Sequence, residues 1–119
     1  MTGLEHALIA LQQALDAPRR HHVWRWLVRQ RMAGVKDALS GELARGGDAA
    51  LAARELHLQH ERRMLLRRLT QLGPRVLDED DVEEVRGDLH RLLADIDRHR
   101  RRLNDLVYDS VSMELGGSE

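Results

Sequence analysis

The strongest pattern in the chain is a seven-residue repeat of apolar positions that begins at Val82 and continues to Met113. Its members recur in alternating steps of three and four residues, the spacing of one face of an α-helix that packs against a partner. The repeat therefore predicts one long helix over 79–109 or beyond, with a single apolar seam that other helices must cover. The positions of the seam are Val82, Val85, Leu89, Leu92, Ile96, His99, Leu103, Leu106, Ser110 and Met113.

Two helices are predicted in the first part of the chain. Leucines three and four residues apart predict a helix over 3–16, and Pro18 ends it because the residue before a proline is disfavoured from the α region. A second helix is predicted over 19–44, where apolar residues again recur with helical spacing. Gly46 and Gly47 follow this segment, and glycine commonly ends a helix.

A third helix is predicted over 48–72, and the pair Gly73 and Pro74 is expected to end it. The connections between successive helices are short, so neighbouring helices are expected to pack antiparallel. Residues 1–119 then form one all-α domain, an antiparallel helical bundle of three long helices and a short N-terminal helix. The composition also favours helices over strands, because the apolar residues are mostly Leu, Ala and Val and the chain has no Phe.

The fourth helix is predicted to be longer than its neighbours, which leaves part of its seam to be covered. If it reached Met113 it would measure about 50 Å, against about 37 Å for the second or third helix. The first helix could cover the overhang, or a second copy of the chain could do so. Alternatively the helix ends early and residues 110–119 form an extended tail, because Val111, Met113 and Leu115 alternate with polar residues as in a strand.

Composition narrows the classes of function. The 119 residues suffice for one domain with one core. The absence of cysteine excludes a thiolate nucleophile, a disulfide and a Cys-ligated metal site. No nucleophile elbow, phosphate-binding glycine loop or His-Glu-x-x-His helix is present, so neither catalytic activity nor a cofactor is predicted. No apolar stretch is long enough to cross a membrane and no signal peptide is recognisable, so a cytoplasmic location is expected.

His99 is the candidate site residue that the repeat singles out, because it alone among the seven histidines occupies a seam position. One interpretation is a buried neutral histidine that hydrogen-bonds a carboxylate or carbonyl and sets the helix register. The other is a metal or cofactor ligand in the bundle core, with Glu61 or His57 opposite. A hairpin that turns near residue 75 would place His99 across from position 51, one to two helical turns from His57. The sequence alone leaves both interpretations open.

Two arginine runs suggest phosphate contacts, as in nucleic-acid binding. The first lies at 62–68 on the third helix and the second at 98–102 on the fourth. The segment 78–97 carries nine acidic residues against two arginines, and in a hairpin it folds beside the first run. These charges would largely neutralise each other, and the net charge of −1 offers no long-range attraction to nucleic acid. Nucleic-acid binding is therefore a disfavoured third alternative.

The function predicted from these features is a protein-protein interaction or assembly module, with a metal- or cofactor-binding bundle as the alternative. The overhanging seam needs a partner, and Trp26 falls on the side of the second helix opposite its apolar face, where an exposed aromatic often marks an interface. We expect a homodimer that forms through the distal half of the fourth helix and the first helix. The residues predicted at the interface are Trp26, Leu103, Leu106, Val107, Val111 and Met113.

Overall fold

The computed structural model describes residues 3–17, 21–41 and 49–117, and within these segments the chain forms four helices and no strand. The helices are α1 (Gly3–Asp16), α2 (His21–Ser40), α3 (Ala49–Asp78) and α4 (Val82–Gly117). Each packs antiparallel to the helix before it, and α1 also packs antiparallel to α4, so the four helices close into a ring. The predicted all-α antiparallel bundle is confirmed.

The apolar core lies inside this ring. Nineteen buried side chains from all four helices form one main cluster. A second, much smaller cluster consists of Leu58 and Leu106, with Leu103 packed against them, and comes from α3 and α4 only. The seam of α4 is buried or half-buried from Val82 to Leu106, as the seven-residue repeat predicts. The main cluster therefore ends well before α4 does.

The molecule measures 60 × 23 × 19 Å, and its length comes from α3 and α4. The contacts of α1 with α4 run from the ion pair of Asp16 with Arg86 to that of Glu5 with Arg100. Beyond Arg100, α4 continues for about 25 Å, and its core contacts among the described residues come from α3. We call residues 49–61 of α3 together with 100–117 of α4 the distal hairpin.

The predicted end of the third helix at Gly73 and Pro74 is wrong, because α3 continues to Asp78. Proline removes one backbone hydrogen bond from a helix interior, and here its ring lies on the exposed side of α3. Continuing the helix through this point keeps Val76 on the buried face one turn after Leu72. The burial of Val76 offsets part of the cost of the proline, whose ring also crowds the carbonyl group four residues earlier.

The turn between α3 and α4 consequently lies later than residue 75. Asp81 caps the start of α4, since its Oδ1 accepts a hydrogen bond from the backbone N–H of Glu84 at 3.2 Å. Arg25 of α2 donates to the carbonyl oxygens of Val76 at 2.8 Å and Glu79 at 2.7 Å. A cation from a neighbouring helix thus satisfies carbonyls that the end of α3 leaves without helical partners.

The remaining helix boundaries also refine the predictions. The first helix is observed as expected, whereas the second covers His21–Ser40 within the predicted 19–44. Residues 18–20 and 42–48 lie outside the described residues. An extended tail from 110 to 117 is wrong, because α4 continues to Gly117. A lone strand has no partner for its backbone hydrogen bonds, whereas a helix forms these bonds within itself. The helix indicated by the heptad spacing therefore forms in place of the strand indicated by the alternation.

None of the described helices is both long enough and apolar enough to cross a membrane.

Candidate functional site

His99 is fully buried at the boundary between the main cluster and the distal hairpin. Its Nδ1 lies 2.8 Å from Oε1 of Glu61 on α3. The other carboxylate oxygen of Glu61 accepts a hydrogen bond from Nη1 of Arg102. A polar network therefore divides the two apolar clusters, with Ile96 on one side of His99 and Leu103 on the other.

Of the two residues proposed opposite His99, the structure places Glu61 beside it and leaves His57 elsewhere. His57 is exposed and lines an open cleft on the flank of the distal hairpin. The predicted register was wrong, because α3 runs to Asp78 and the turn is displaced along the chain. No group of three His, Asp or Glu side chains suited to a metal ion occurs within the described segments.

The network supports the structural interpretation of His99. An ionised Glu61 accepts from the Nδ1–H of His99 and from the guanidinium of Arg102, so both carboxylate oxygens have donors. Buried charges are tolerated where such partners are present. A buried polar contact also distinguishes one helix register from another, because a shifted register would separate its members.

Glu61 and Arg102 also belong to a ladder of ion pairs along one flank of α3 and α4. Its members recur every seven residues on each helix. The pairs are Arg54 with Asp109, Glu61 with Arg102, Arg68 with Asp95, and Arg75 with Asp88. Glu61 is the only acidic member from α3 among these four. A shift of one heptad would place it against Asp95 or Asp109, so like-charge repulsion opposes the wrong registers.

A cleft on the ladder flank lies beside the pair in which the order of charges is reversed, with the acid on α3 and the arginine on α4. Asp88 and Asp95 each form an ion pair with the arginine three residues later. One heptad further on, the order is Arg102 followed by Asp105, and here the groove between α3 and α4 stays open as a cleft of about 330 Å³. Its lining residues are Ala53, Arg54, His57, Leu58, Arg102 and Asp105.

The ladder makes stability depend on pH through Asp88. The hydrogen bond from Arg75 is the main reason that the pKa of Asp88 lies below its ordinary value of 3.8. The folded chain thus favours the charged carboxylate, which adds stability above pH 3.8 that is lost as pH falls through the lower folded pKa. We expect Asp88→Asn to be less stable than the wild type at pH 7, and the difference to shrink below pH 3.8.

Urea unfolding midpoints measured between pH 7 and pH 2.5 test this expectation. Arg75→Gln is the matched control, because it removes the cause of the shifted pKa and leaves the carboxylate in place. Its difference from the wild type should shrink over the same acidic range. A difference between Asp88→Asn and the wild type that stays constant with pH would contradict the assignment.

The residues predicted at the distal interface differ in how much surface they expose. Leu106 is 3% exposed and Leu103 is half-buried, so both already pack within the distal hairpin. Val107 is half-buried, and Val111 is 48% exposed. The side chain of Met113 lies outside the described residues. Val107 and Val111 are thus the described apolar positions of this set that a partner could still cover.

Val107 and Val111 continue the stripe of α4 that faces α1. Leu93 and Asp97 line a cleft shared with α1, and Arg100 forms the ion pair with Glu5 of α1. Val107 lies two heptads after Leu93, and Val111 lies two heptads after Asp97. The stripe therefore runs past the start of α1, where its described positions are Asn104, Val107 and Val111 and none is charged. Heptad numbering alone could have found this signal once the α1-facing positions were known.

Trp26 is 58% exposed, in agreement with its predicted position on the back of α2. It lies near the opposite end of the bundle from the distal hairpin, next in sequence to Arg25, which binds the C-terminal carbonyls of α3. Trp24, by contrast, is buried, and its Nε1 donates to the carbonyl oxygen of Leu15 at 3.5 Å. The two tryptophans of the chain therefore occupy opposite environments.

Comparison of the chain with protein-family models, with curated proteins and with solved structures found no significant match.

Proposed function

We propose that this protein is an assembly module that forms a homodimer, in which the distal hairpin of one copy covers the distal hairpin of the other. The observation that carries the proposal is the apolar continuation of the α1-facing stripe past Arg100 to Val107 and Val111. In the other half of the molecule, α1 and α2 cover the corresponding side of α3 and α4.

A second copy suits this surface for a geometric reason. The distal hairpin is two antiparallel helices, and the complete half of the molecule shows that two more helices complete the ring. A second distal hairpin supplies two helices of the right length, and pairing about a two-fold axis leaves no further surface to propagate. Tyr108, which is 73% exposed, lies one helical turn from Val111 and widens the available surface.

The proposed interface is narrower than the set predicted from the sequence. Trp26 lies at the far end of the bundle and is left outside it. The contribution of α1 is limited to its first turn, where Glu5 and its partner Arg100 border the apolar stripe. Leu103 and Leu106 act indirectly, since they hold α3 and α4 together beneath the surface.

Sedimentation equilibrium between 5 and 500 µM protein tests the proposal. We expect the wild type to dimerise and the double variant Val107→Glu, Val111→Glu to remain monomeric, because dimerisation would bury two unpaired carboxylates. The dissociation constant should rise at least 100-fold. Tyr108→Glu changes a residue that is 73% exposed, so it should fold normally and also weaken the dimer.

Val23→Glu is the matched control, because it introduces the same charge at an exposed valine outside the distal hairpin. It should leave the dimer unchanged, and circular dichroism should show equal helix content in all variants. A wild-type protein that stays monomeric up to 500 µM would contradict the proposal. Equal weakening by Val23→Glu and by the distal variants would show that the interface lies elsewhere.

A further inference from the structure

Charge is unevenly distributed among the four helices. Within the described bounds, α2 carries four basic residues and one acidic residue, and α3 carries six basic and three acidic. α1 has two acidic residues and no basic one, whereas α4 has six basic and eight acidic. The half of the bundle made by α2 and α3 is therefore positive, although the net charge of the chain is only −1.

Ion pairs within the molecule neutralise one arginine run completely and the other only in part. Every arginine of the 98–102 run lies within ion-pair distance of a carboxylate. In the 62–68 run, Arg68 reaches Asp95 across the ladder flank. Arg63 and Arg67 are exposed, and no carboxylate of the described segments lies within ion-pair distance of either. The acidic segment that follows α3 therefore does not neutralise these two cations.

The α2 helix brings further cations to the same side of the molecule. Arg29 lies over the backbone of Gly73 in the groove between α2 and α3. Arg29 and Lys36 line this groove of about 280 Å³, whose other lining residues are uncharged. Neither cation has a carboxylate within ion-pair distance among the described residues. Asp37 follows Lys36 directly and so points about 100° away around the helix axis.

The cations of the two helices form one surface. Because α2 and α3 are antiparallel with Arg29 against Gly73, Lys36 lies beside the turn of α3 that contains Arg63 and Arg67. Trp26 precedes Arg29 by three residues and continues the surface toward the α3–α4 turn. Arg29 and Lys36 line the groove itself, and the helical register places Trp26, Arg63 and Arg67 on its rim. We call these five residues the basic groove. It extends for about 15 Å along α2.

We propose that the basic groove binds single-stranded nucleic acid without sequence preference. Two cations in the groove and two on its rim suit the regularly spaced phosphates of one strand, and an exposed tryptophan provides a face on which a base can stack. A stacked strand rises about 3.4 Å per nucleotide, so the groove accommodates about four nucleotides. This surface does not include the distal hairpin, so the inference stands independently of the proposed homodimer.

Fluorescence anisotropy with labelled 15-nucleotide oligo-dT and oligo-U tests the inference. We expect both oligonucleotides to bind at 20 mM salt, and the logarithm of the affinity to fall with the logarithm of salt concentration with a slope near −3, about −0.7 per phosphate. The double variant Arg63→Gln, Arg67→Gln should halve this slope and lower the affinity at least tenfold. Trp26→Ala should lower it about fivefold or more through the lost stacking.

The double variant Arg98→Gln, Arg101→Gln is the matched control, because it makes the same charge change at two exposed arginines that have carboxylate partners on α4. It should bind with nearly wild-type affinity. Absence of binding at 200 µM protein in 20 mM salt would overturn the inference. Equal losses of affinity for the oligonucleotides in the two double variants would also overturn it. Tighter binding to phosphatidylserine vesicles than to either oligonucleotide, with the same sensitivity to Arg63 and Arg67, would assign the groove to an anionic membrane surface instead.

Discussion

Replacing Glu61 with alanine is expected to lower the free energy of unfolding by about 1–3 kcal/mol. The substitution leaves the fully buried Nδ1 of His99 without the carboxylate that lies 2.8 Å away. A buried polar atom that loses its partner incurs its full desolvation cost, because water cannot replace the lost hydrogen bond. Arg102 is about half exposed and adds little to the effect. Urea unfolding followed by circular dichroism measures the change.

Asp109→Ala is the matched control for this substitution, since it also removes a carboxylate from the ladder. Both members of the Arg54–Asp109 pair are nearly half exposed, so its loss should cost less than about 1 kcal/mol. Comparable effects of the two substitutions would show that the environment of His99 is not as dry as its burial indicates.

The double variant Glu61→Leu, His99→Leu distinguishes the effect of the network on stability from its effect on the register of α3 and α4. Replacing both members of a buried polar pair with apolar residues removes the unpaired atom, so most of the lost stability should return. If the network specifies register, the double variant should at the same time admit alternative pairings of α3 and α4. Disulfide trapping between cysteines introduced at positions 54 and 109 would then become slower in the double variant than in the wild type.

The sequence predicted the seam of α4 well, because a long heptad repeat encodes burial directly in its spacing. The seam positions from Val85 to Ile96 are all in the main cluster where they were expected, and His99 is buried among them. The bounds of α1 were also predictable, since Pro18 follows so soon after its leucine stripe. These features depend on local periodicity and on backbone chemistry, both of which act within a few residues.

The end of α3 and the identity of the residue beside His99 could not be predicted from the sequence. Both are set by contacts between helices. Burial of Val76 keeps Pro74 inside a helix, and no local signal reports that burial in advance. The displaced turn then changes which residue of α3 faces His99, so one error at a helix end became an error in the candidate site. Glu61 was on the list of possible partners, but the register that selects it over His57 requires the structure.

The basic groove was missed for a related reason. The two arginine runs were judged against the acidic segment that follows them in sequence, and that comparison is correct for Arg68. Successive side chains of a helix point in different directions around its axis. Arg63 and Arg67 therefore face away from Asp95, which forms an ion pair with Arg68. Arg29 and Lys36 line a groove between α2 and α3. Only the antiparallel packing of these two helices sets them beside the part of α3 that carries Arg63 and Arg67.

Truncating Ile96 to alanine is expected to lower the free energy of unfolding by about 2–5 kcal/mol, because it leaves a cavity in a region surrounded by all four helices. Leu106→Ala removes a side chain of similar size that is also almost fully buried. Its surroundings are only α3 and α4 among the described helices, so the distal hairpin can collapse or admit water. The cost in dilute monomeric protein should therefore lie near the lower end of that range, about 2 kcal/mol.

Amide hydrogen exchange distinguishes the two substitutions residue by residue. Ile96→Ala should accelerate exchange throughout the bundle, whereas Leu106→Ala should accelerate it in α4 beyond Arg100 and leave the amides near Leu89 protected. Raising the protein concentration should restore protection beyond Arg100 if a second copy covers the distal hairpin. Equal costs for the two substitutions at low concentration would mean that two helices alone hold Leu106 as firmly as four hold Ile96. The distal hairpin would then need no partner, and the physical basis for the proposed homodimer would be lost.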